Sequence, residues 1–362
     1  MSSRRFQRWA TAFPLTRPIA RRESRALFDL CAGFVYSQVL FACVQLRLFE
    51  VLGEGPQDVA DLARRLALPP EAMRCLLEAA DSLRLVSRVA GGDDSDRFML
   101  GPLGAAMAGN PGIAAMIDHH ALLYSDLRDP AALLRGAAAS TALAGYWPYA
   151  GAERPADLDD GAVAAYSALM AASQPMIADQ VLAAYPLARH RCLLDVGGGE
   201  GAFLTAVAAA APKLGLMLFD LPAVATRAER CFEAAGLEGR VACHGGDVFR
   251  DPLPTGADII SLVRVIHDHD DDSALAILSA VRRALPRDGT LLLAEPMAGT
   301  AGAEPSGAAY FGFYLLAMGR GRPRSAHALQ ALLKAAGFGR SRLIANHNPL
   351  LTRVLVAQVK AA

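Results

Sequence analysis

The chain has 362 residues, with 36 basic and 36 acidic side chains, and 53% of its residues are hydrophobic. This length predicts two globular domains, because single hydrophobic cores stop growing near about 250–300 residues. The balanced charge argues against wholesale binding of nucleic acid, which needs an excess of basic side chains. The high apolar content and low net charge exclude disorder over most of the chain.

The first segment, residues 1–25, is basic. It contains seven arginines against a single acid, Glu23, and the aromatic residues Phe6, Trp9 and Phe13 interleave with them. It also lacks the apolar core of a signal peptide. One interpretation is a solvated basic arm. The other is an interfacial segment that binds anionic lipid headgroups and inserts its rings, which predicts peripheral contact with the inner or photosynthetic membrane.

Residues 26–110 have the pattern of a helical module. From Ala26 to Leu52 a long helix is predicted to be apolar on nearly every side, so it must be buried, and a second subunit is one way to cover it. Its charge-free stretch, residues 30–46, is shorter than the about 20 residues that span a membrane. Residues 56–89 and the GGDDSDRFML that follows predict helices and a hairpin in winged-helix order.

The predicted third helix of this module argues against DNA binding. Its basic side chains, Arg74 and Arg84, are accompanied by the acids Glu71, Glu78 and Asp81. A recognition helix offers several basic or amide side chains to base edges. We therefore interpret the module as a scaffold, and no nucleic-acid partner is expected.

The chain contains six cysteines and no C-x-x-C pair: Cys31, Cys43, Cys75, Cys192, Cys231 and Cys243. Scattered cysteines in apolar surroundings are typical of buried thiols in a reducing compartment. The cysteine pattern and the lack of a signal peptide predict a cytoplasmic protein.

The second half of the chain predicts an α/β fold. Residues 111–186 are helical and alanine-rich, and we expect this connector to contribute to a pocket for an acceptor. From residue 187 the chain alternates between helical stretches and apolar runs, of which CLLDV, LGLMLFD, RVACHGGD, ADIISLVRVIHD and GTLLLAEP are the clearest. This alternation is typical of a parallel, Rossmann-like sheet with helices on both faces, and LTRVLVAQVK supplies a last strand.

A glycine-rich loop follows the first of these strands directly. Its glycines are Gly197, Gly198, Gly199 and Gly201, and the helix AFLTAVAAAA begins immediately after them. Glycines at this position let a backbone approach a ligand closely, and amides at the start of the helix face it. The strand, loop and helix together predict a nucleotide site.

Polar residues at the ends of the next strands converge on this loop. Asp220 can accept hydrogen bonds from ribose hydroxyls, Asp247 can accept one from an adenine amino group, and Arg264 lies at the mouth of the same crevice. The neighbours Leu221, Val248 and Phe249 complete the predicted wall. The G-x-G-x-G spacing is shorter than that of dinucleotide sites. Because Asp195 precedes the loop, where it suits an ammonium group, we predict S-adenosyl-L-methionine as the cofactor.

Five motifs occur in order in this half: LLDVGGGEGAF, LFDLP, GGDVFRDPLP, SLVRVIHDHDDD and LLLAEPM. They resemble the small-molecule O-methyltransferases related to plant caffeate and animal acetylserotonin enzymes. The resemblance covers essentially the whole chain and implies a class I methyltransferase sheet, a winged-helix dimerisation domain and a homodimer. FPLTRPIARR, ALFDLCAGFVYSQVL and YFGFYLLAMGRGRPR resemble the purple-bacterial carotenoid members, which implies a tertiary 1-hydroxyl of an acyclic carotenoid as acceptor.

A histidine at the end of the fourth strand is the candidate base. A neutral imidazole at His267 can take the hydroxyl proton as the oxygen attacks the methyl group, and the resemblance assigns that role to it. Asp268 belongs to the same motif, in which His269 stands where the family has tryptophan. The resemblance makes Glu295 the acid that orients the histidine. The family's second acid is absent, because Pro323 occupies its place in GRPRS.

Two alternatives stay open for these residues. HDHDD matches an H-x-H-x-D metal pattern, in which His267, His269 and Asp271 bind zinc. A solvated acidic start of a helix explains the run more simply, and we predict no metal. The remaining candidates form an apolar acceptor pocket or ordinary core: Tyr166, Met170, Phe311, Tyr314 and Met318. A phenol or polyketide hydroxyl is an alternative acceptor, and a non-catalytic winged-helix regulator is an alternative function.

Overall fold

A computed structural model describes residues 3–89, 96–136, 140–147, 149 and 155–359. The chain divides into two compact units, Met1–Asp118 and His119–Ala362, and the boundary falls within one helix, Pro111–Asp126. The finer division into segments 1–25, 26–110, 111–186 and 187–362 stays a prediction.

The first unit contains a three-stranded antiparallel sheet of order β1-β3-β2 packed with short helices. Its elements are α1 (Arg4–Ala12), α2 (Arg17–Gln45), α3 (Leu48–Gly53), β1 (Gln57–Asp58), α4 (Val59–Arg65), α5 (Pro70–Ser82), β2 (Val86–Val89), β3 (Arg97–Leu100) and α6 (Pro102–Ala108). The winged-helix prediction is confirmed. The tip of its hairpin, residues 90–95, lies outside the described residues.

The long helix α2 differs from its prediction. It begins at Arg17 instead of Ala26 and ends at Gln45, since Arg47 adopts a left-handed conformation (φ 57°) that separates it from α3. Only Cys43 and Val44 of α2 are buried, so the expectation of a buried helix is wrong for the single chain. Among the described residues, α2 is the one helix long and apolar enough to span a membrane, a criterion that core helices of soluble proteins and signal sequences also meet.

The second unit is built around a seven-stranded sheet of order β6-β5-β4-β7-β8-β10-β9. Its strands are β4 (Cys192–Val196), β5 (Gly215–Asp220), β6 (Val241–Gly245), β7 (Ile259–Val263), β8 (Thr290–Glu295), β9 (Phe338–Ile344) and β10 (Arg353–Val359). Strands β4 to β8 are parallel, as predicted, whereas β10 runs antiparallel to β8 and β9. The sheet is therefore mixed, and β9 is a strand that the sequence did not predict.

Helices cover both faces of this sheet. The helices of the unit are α7 (Pro111–Asp126, shared with the first unit), α8 (Pro130–Leu134), α9 (Ala142–Tyr146), α10 (Asp160–Ala184), α11 (Ala202–Ala210), α12 (Pro222–Ala234), α13 (Asp271–Ala284), α14 (Phe311–Met318) and α15 (Ala326–Ala335). Along β4, Leu193 packs with α10, α11 and α12, and Leu194 packs with α13 and α15 on the other face. This alternation follows from the period of two in a strand and confirms the doubly covered sheet.

Candidate functional site

A cavity of about 230 Å³ lies at the carboxyl ends of the parallel strands. The glycine loop after β4, the ends of β5 and β7, the segment after β6, and α10 line it. Parallel strands place their carboxyl ends at one edge of the sheet, so side chains far apart in sequence meet there. The predicted residues that line the cavity are Gly197, Gly198, Gly199, Asp220, Leu221, Asp247, Val248, Phe249, Arg264, Asp268, Tyr166, Met170 and Met318.

The glycines of the loop serve different purposes. Gly199 has φ 58° and lies open, with no atom within 4 Å of the place where a Cβ would stand. Gly201 has φ 81°, and a Cβ there would overlap the Phe232 ring. Gly199 therefore leaves space toward the cavity, whereas Gly201, which does not line it, permits the start of α11 to pack closely on α12.

Asp220 ties the loop to the end of β5. Its carboxylate accepts hydrogen bonds from the amides of Gly199 (2.8 Å) and Leu221 (2.7 Å). Burial raises the pKa of Asp220 to about 6, and the two amide bonds oppose that shift. The side chain is thus held in place at the cavity wall before any ligand binds.

Asp195, directly before the loop, lies beneath it and not on the cavity wall. Its side chain is only 1% exposed, does not line the cavity, and accepts a hydrogen bond from the Ser261 hydroxyl (2.6 Å) beneath the loop. Burial raises the pKa of Asp195 to about 7. A Cβ on Gly198 would stand 2.8 Å from the Asp195 carboxylate. Asp195 thus supports the loop from below, and its contact with an ammonium group stays a prediction.

Two further strand-end residues face the cavity. Asp247 accepts a hydrogen bond from the Phe249 amide (2.9 Å), so part of its carboxylate shapes its own turn, as a capping aspartate does. Arg264 adopts a left-handed conformation (φ 60°) and directs its guanidinium at α10. There it donates to the Ser173 hydroxyl (2.8 Å) and contacts the Met170 sulfur (2.7 Å). Sequence reasoning did not select Ser173.

His267 lies between two carboxylates. Its Nδ1 is 2.6 Å from Glu295 Oε2, and its Nε2 is 3.1 Å from Asp268 Oδ1, a contact that lacks hydrogen-bond geometry. Burial alone lowers the pKa of the imidazole, but Asp268 and Glu295 outweigh it, so the pKa of His267 is raised. Burial raises the pKa of Asp268 to about 6. Neither His267 nor Glu295 lines the cavity, whereas Asp268 and His269 do.

The zinc pattern is not assembled. Burial, followed by the nearby His267, lowers the pKa of His269 to about 4, and its ring meets Phe249 edge-on. The Asp271 carboxylate pairs instead with Arg322 (2.8 Å) and Arg324 (2.7 Å). Among the described residues there is no group of three or more His, Cys, Asp or Glu side chains arranged to hold a metal ion.

The predicted acceptor residues divide into two groups. Tyr166, Met170 and Met318 line the cavity, whereas Tyr314 is a core residue whose hydroxyl lies 2.8 Å from His119 Nε2. Phe311 does not line the cavity but lies edge-on to the His267 ring at 5.9 Å. The sequence did not single out Trp147, which also lines the cavity and lies 4.2 Å from the Tyr166 ring. The aromatic break GYWPYAG was the available signal for it.

These features define an α/β protein with a ligand crevice at its strand ends. Comparison with known proteins identifies the family to which it belongs. The family model for an O-methyltransferase domain matches residues 149–339, and that for an O-methyltransferase dimerisation domain matches residues 28–110. The chain is 44% identical to a demethylspheroidene O-methyltransferase of Cereibacter sphaeroides over 98% of this chain and 92% of the relative. It is 36% identical to a mouse acetylserotonin O-methyltransferase over 89% and 85% of the two chains.

Solved structures agree with this fold. Human N-acetylserotonin methyltransferase in complex with S-adenosylmethionine superposes with a TM-score of 0.75 at 23% identity, covering 94% of this chain and 98% of that one. The protein belongs to the O-methyltransferase family, carries that family's dimerisation domain, and is an enzyme of the class that uses S-adenosylmethionine.

The two glycines give a matched pair of variants. Gly201→Ala should lower the free energy of unfolding by about 2–5 kcal/mol, since it adds overlap with Phe232 to a strained φ. Gly199→Ala adds only the strain and should cost about 1–2 kcal/mol. Urea unfolding at one protein concentration measures both. Equal losses would show that the Phe232 ring moves aside freely.

Proposed function

We propose that this enzyme transfers a methyl group from S-adenosylmethionine to the tertiary 1-hydroxyl of an acyclic carotenoid of the demethylspheroidene or hydroxyneurosporene type. The observation that carries the proposal is the 44% identity to a demethylspheroidene O-methyltransferase over 98% of the chain. The cavity agrees with it, because its acceptor side is lined by Trp147, Tyr166, Met170 and Met318, which suit an apolar molecule.

The residues around the cavity fit the cofactor. Gly199 leaves open space beside the loop, and the Asp220 carboxylate is fixed where it can accept from ribose hydroxyls. Asp247, Val248 and Phe249 line the portion after β6, where we place the adenine, and Arg264 completes the wall. Once bound, S-adenosylmethionine supplies a methyl group on a positively charged sulfur, ready for attack by an oxygen nucleophile.

We assign proton removal to His267. Because Glu295 accepts from Nδ1, the other ring nitrogen, Nε2, is left to take the hydroxyl proton. A tertiary alcohol is far less acidic than imidazolium, so a free alkoxide would be rare. Proton loss is therefore late and nearly concerted with attack, and alignment of the oxygen supplies much of the rate. Glu295 orients the ring. The Asp268 carboxylate, 3.1 Å from Nε2, stabilises the positive charge of the imidazolium that forms.

The cofactor assignment predicts a loss of binding in Asp220→Ala. A hydrogen bond to a charged group contributes about 1.5–3 kcal/mol, so affinity for S-adenosylhomocysteine should fall about 10- to 100-fold by calorimetry. Asp258→Asn is the matched control, because Asp258 also accepts from two backbone amides, those of Arg191 and Cys192, away from the cavity. Equal affinity in both variants would remove Asp220 from the cofactor site.

The assignment of the base predicts a selective loss of turnover. His267→Ala should lower kcat by about 10²–10⁴ and leave the affinity for S-adenosylhomocysteine within about twofold. In the wild type, activity should rise as pH increases through the raised pKa of His267, since only the neutral imidazole accepts a proton. The assay uses hydroxylated acyclic carotenoids beside a panel of phenols. Near-native turnover in the variant would make His267 structural, and methylation of phenols alone would exclude the carotenoid assignment.

We further propose a cytoplasmic homodimer that contacts the membrane peripherally. The dimerisation domain and the exposed apolar side chains of α2, such as Leu30 and Phe34, support association with a second copy. The acceptor dissolves in the bilayer, so the enzyme must meet it there. The helix α1 is suited to that contact and lies before the matched dimerisation domain, residues 28–110.

The aromatic side chains of α1 follow one side, and two of its three arginines lie opposite them, while Arg5, four residues before Trp9, borders the aromatic side. Phe6, Trp9 and Phe13 follow one side at helical spacing, with successive ring centroids 5.9 and 5.1 Å apart, and all three are exposed. Arg4 and Arg8, four residues apart, lie on the opposite side. Residues 1–25 carry a net charge of +6, and a basic residue near an anionic surface contributes about 1 kcal/mol. The summed attraction of these basic residues suffices for reversible binding to an anionic membrane.

Vesicle sedimentation tests the proposed contact. The wild type should sediment with phosphatidylglycerol vesicles at low salt, remain free of phosphatidylcholine vesicles, and be released at high salt because the attraction is screened. Replacing Phe6, Trp9 and Phe13 by serine should weaken sedimentation, because the rings add to the attraction of the arginines, and should not change methylation of a detergent-dispersed acceptor. The control replaces three exposed arginines of the second unit by serine: Arg287, Arg340 and Arg342. Unchanged sedimentation of the aromatic variant would exclude α1 as the contact.

A further inference from the structure

The segment that carries His267 is a short turn between β7 and α13. We call residues 265–269 the His267 turn; its centre, Ile266–Asp268, is a single 3-10 turn. Within the turn, the amides of Asp268 and His269 donate to the carbonyls of Val265 and Ile266 at 3.3 Å, and no amide of the turn donates to the carbonyls of His267 and His269. Buried carbonyls need partners. The direction of the His267 ring therefore depends on whatever bonds this backbone.

Arg324 provides two of those partners. Its guanidinium donates from Nη1 to the Ile266 carbonyl (2.8 Å) and from Nη2 to the His269 carbonyl (2.7 Å). Its Nε donates to Asp271 Oδ1 (2.9 Å) in the first turn of α13. The residue is only 3% exposed, although it is an arginine. One rigid planar group thus spans the turn from the residue before His267 to the helix that follows it.

The chain before Arg324 is fitted against the same turn. The Arg322 amide donates to the His267 carbonyl (2.9 Å). Gly321 has φ 81°, and a Cβ there would overlap the His267 carbonyl oxygen. On the other side, Glu295 Oε1 accepts from the amides of Val265 (3.0 Å) and Ile266 (2.7 Å). The turn is therefore held through its amides by Glu295 and through its carbonyls by residues 322 and 324.

We propose that Arg324 is a positioning residue for methyl transfer, which holds the His267 turn so that Nδ1 stays on Glu295 and Nε2 stays beside Asp268, a residue that lines the cavity. The inference rests on the proposed role of His267 as base. It gives the segment GRPRS a function although the family's acid is replaced there by Pro323. A displacement of about 1 Å at a reacting group can cost about 100-fold in rate, so a residue without contact to the substrate controls turnover.

The test compares Arg324→Met and Arg324→Lys with Arg322→Met. Arg322 pairs with the same Asp271 carboxylate but is largely exposed, and its side chain makes no described bond to the turn. We expect kcat to fall about 100-fold in Arg324→Met and about tenfold in Arg324→Lys, whose ammonium retains the charge but cannot span both carbonyls. Affinity for S-adenosylhomocysteine by calorimetry should stay within about twofold in all three.

A second readout needs no acceptor. The imidazole signal of His267 is assigned by NMR from its absence in His267→Gln and titrated in the ligand-free enzyme. The groups that face this ring are Glu295, Asp268, His269 and Arg264. Because its raised pKa depends on Asp268 and Glu295, loosening the turn should move the pKa of His267 down toward its ordinary value in both Arg324 variants and not in Arg322→Met. This shift distinguishes positioning from general destabilisation.

Several outcomes would overturn the proposal. They are native kcat in both Arg324 variants, an equal loss in Arg322→Met, an unshifted His267 titration, or a loss of S-adenosylhomocysteine binding that parallels the loss of kcat. If Arg324→Met does not fold, Arg324→Lys decides alone. If the wild type methylates no carotenoid, the proposed acceptor fails, while the titration still decides the role of Arg324.

Discussion

The arrangement of the site depends on one buried carboxylate. Glu295, at the end of β8 and 1% exposed, accepts from His267 through one oxygen and from the Val265 and Ile266 amides through the other. It therefore joins the backbone of one strand end to the side chain of the candidate base. Because β8 is a central strand buried on both faces, this carboxylate is as fixed as the sheet itself. Methyl transfer by alignment requires such a fixed reference point.

Acidic side chains dominate the charge around this reference point. Burial raises the pKa of three carboxyl groups that lie beside or beneath the cavity, those of Asp195, Asp220 and Asp268. Among the described residues, the arginines Arg264 and Arg320 line the same cavity, and the Arg264 guanidinium is directed at α10. A crevice of this kind favours a ligand with positive charge, and the sulfonium and ammonium groups of S-adenosylmethionine have that character. The same carboxylates would oppose a pyrophosphate.

The first unit is organised by a different constraint. Its core, which includes Leu48, Leu62, Leu77 and Phe98, closes around the winged helix, but most of α2 stays uncovered. A long apolar helix is stable in water only if something covers it. The cover proposed for α2 is a second copy of the chain, and the one proposed for α1 is a lipid surface. The two helices differ in kind, since α1 combines arginines with aromatic rings and the apolar stretch of α2, residues 30–46, carries no charge.

The sequence by itself determined the strands β4 to β8, the glycine loop and the positions of Asp220, Asp247, Arg264 and His267 at strand ends. These features depend on local patterns, namely apolar runs, turn residues and the residue that follows each strand. Only the tertiary structure decided which distant side chains meet. Asp195 turned beneath the loop toward Ser261, Tyr314 joined the core through His119, and β9, whose arginines Arg340 and Arg342 obscure the pattern, paired with β10. Arg324 reaches the turn from 55 to 58 residues away, and no local periodicity encodes a contact at that separation.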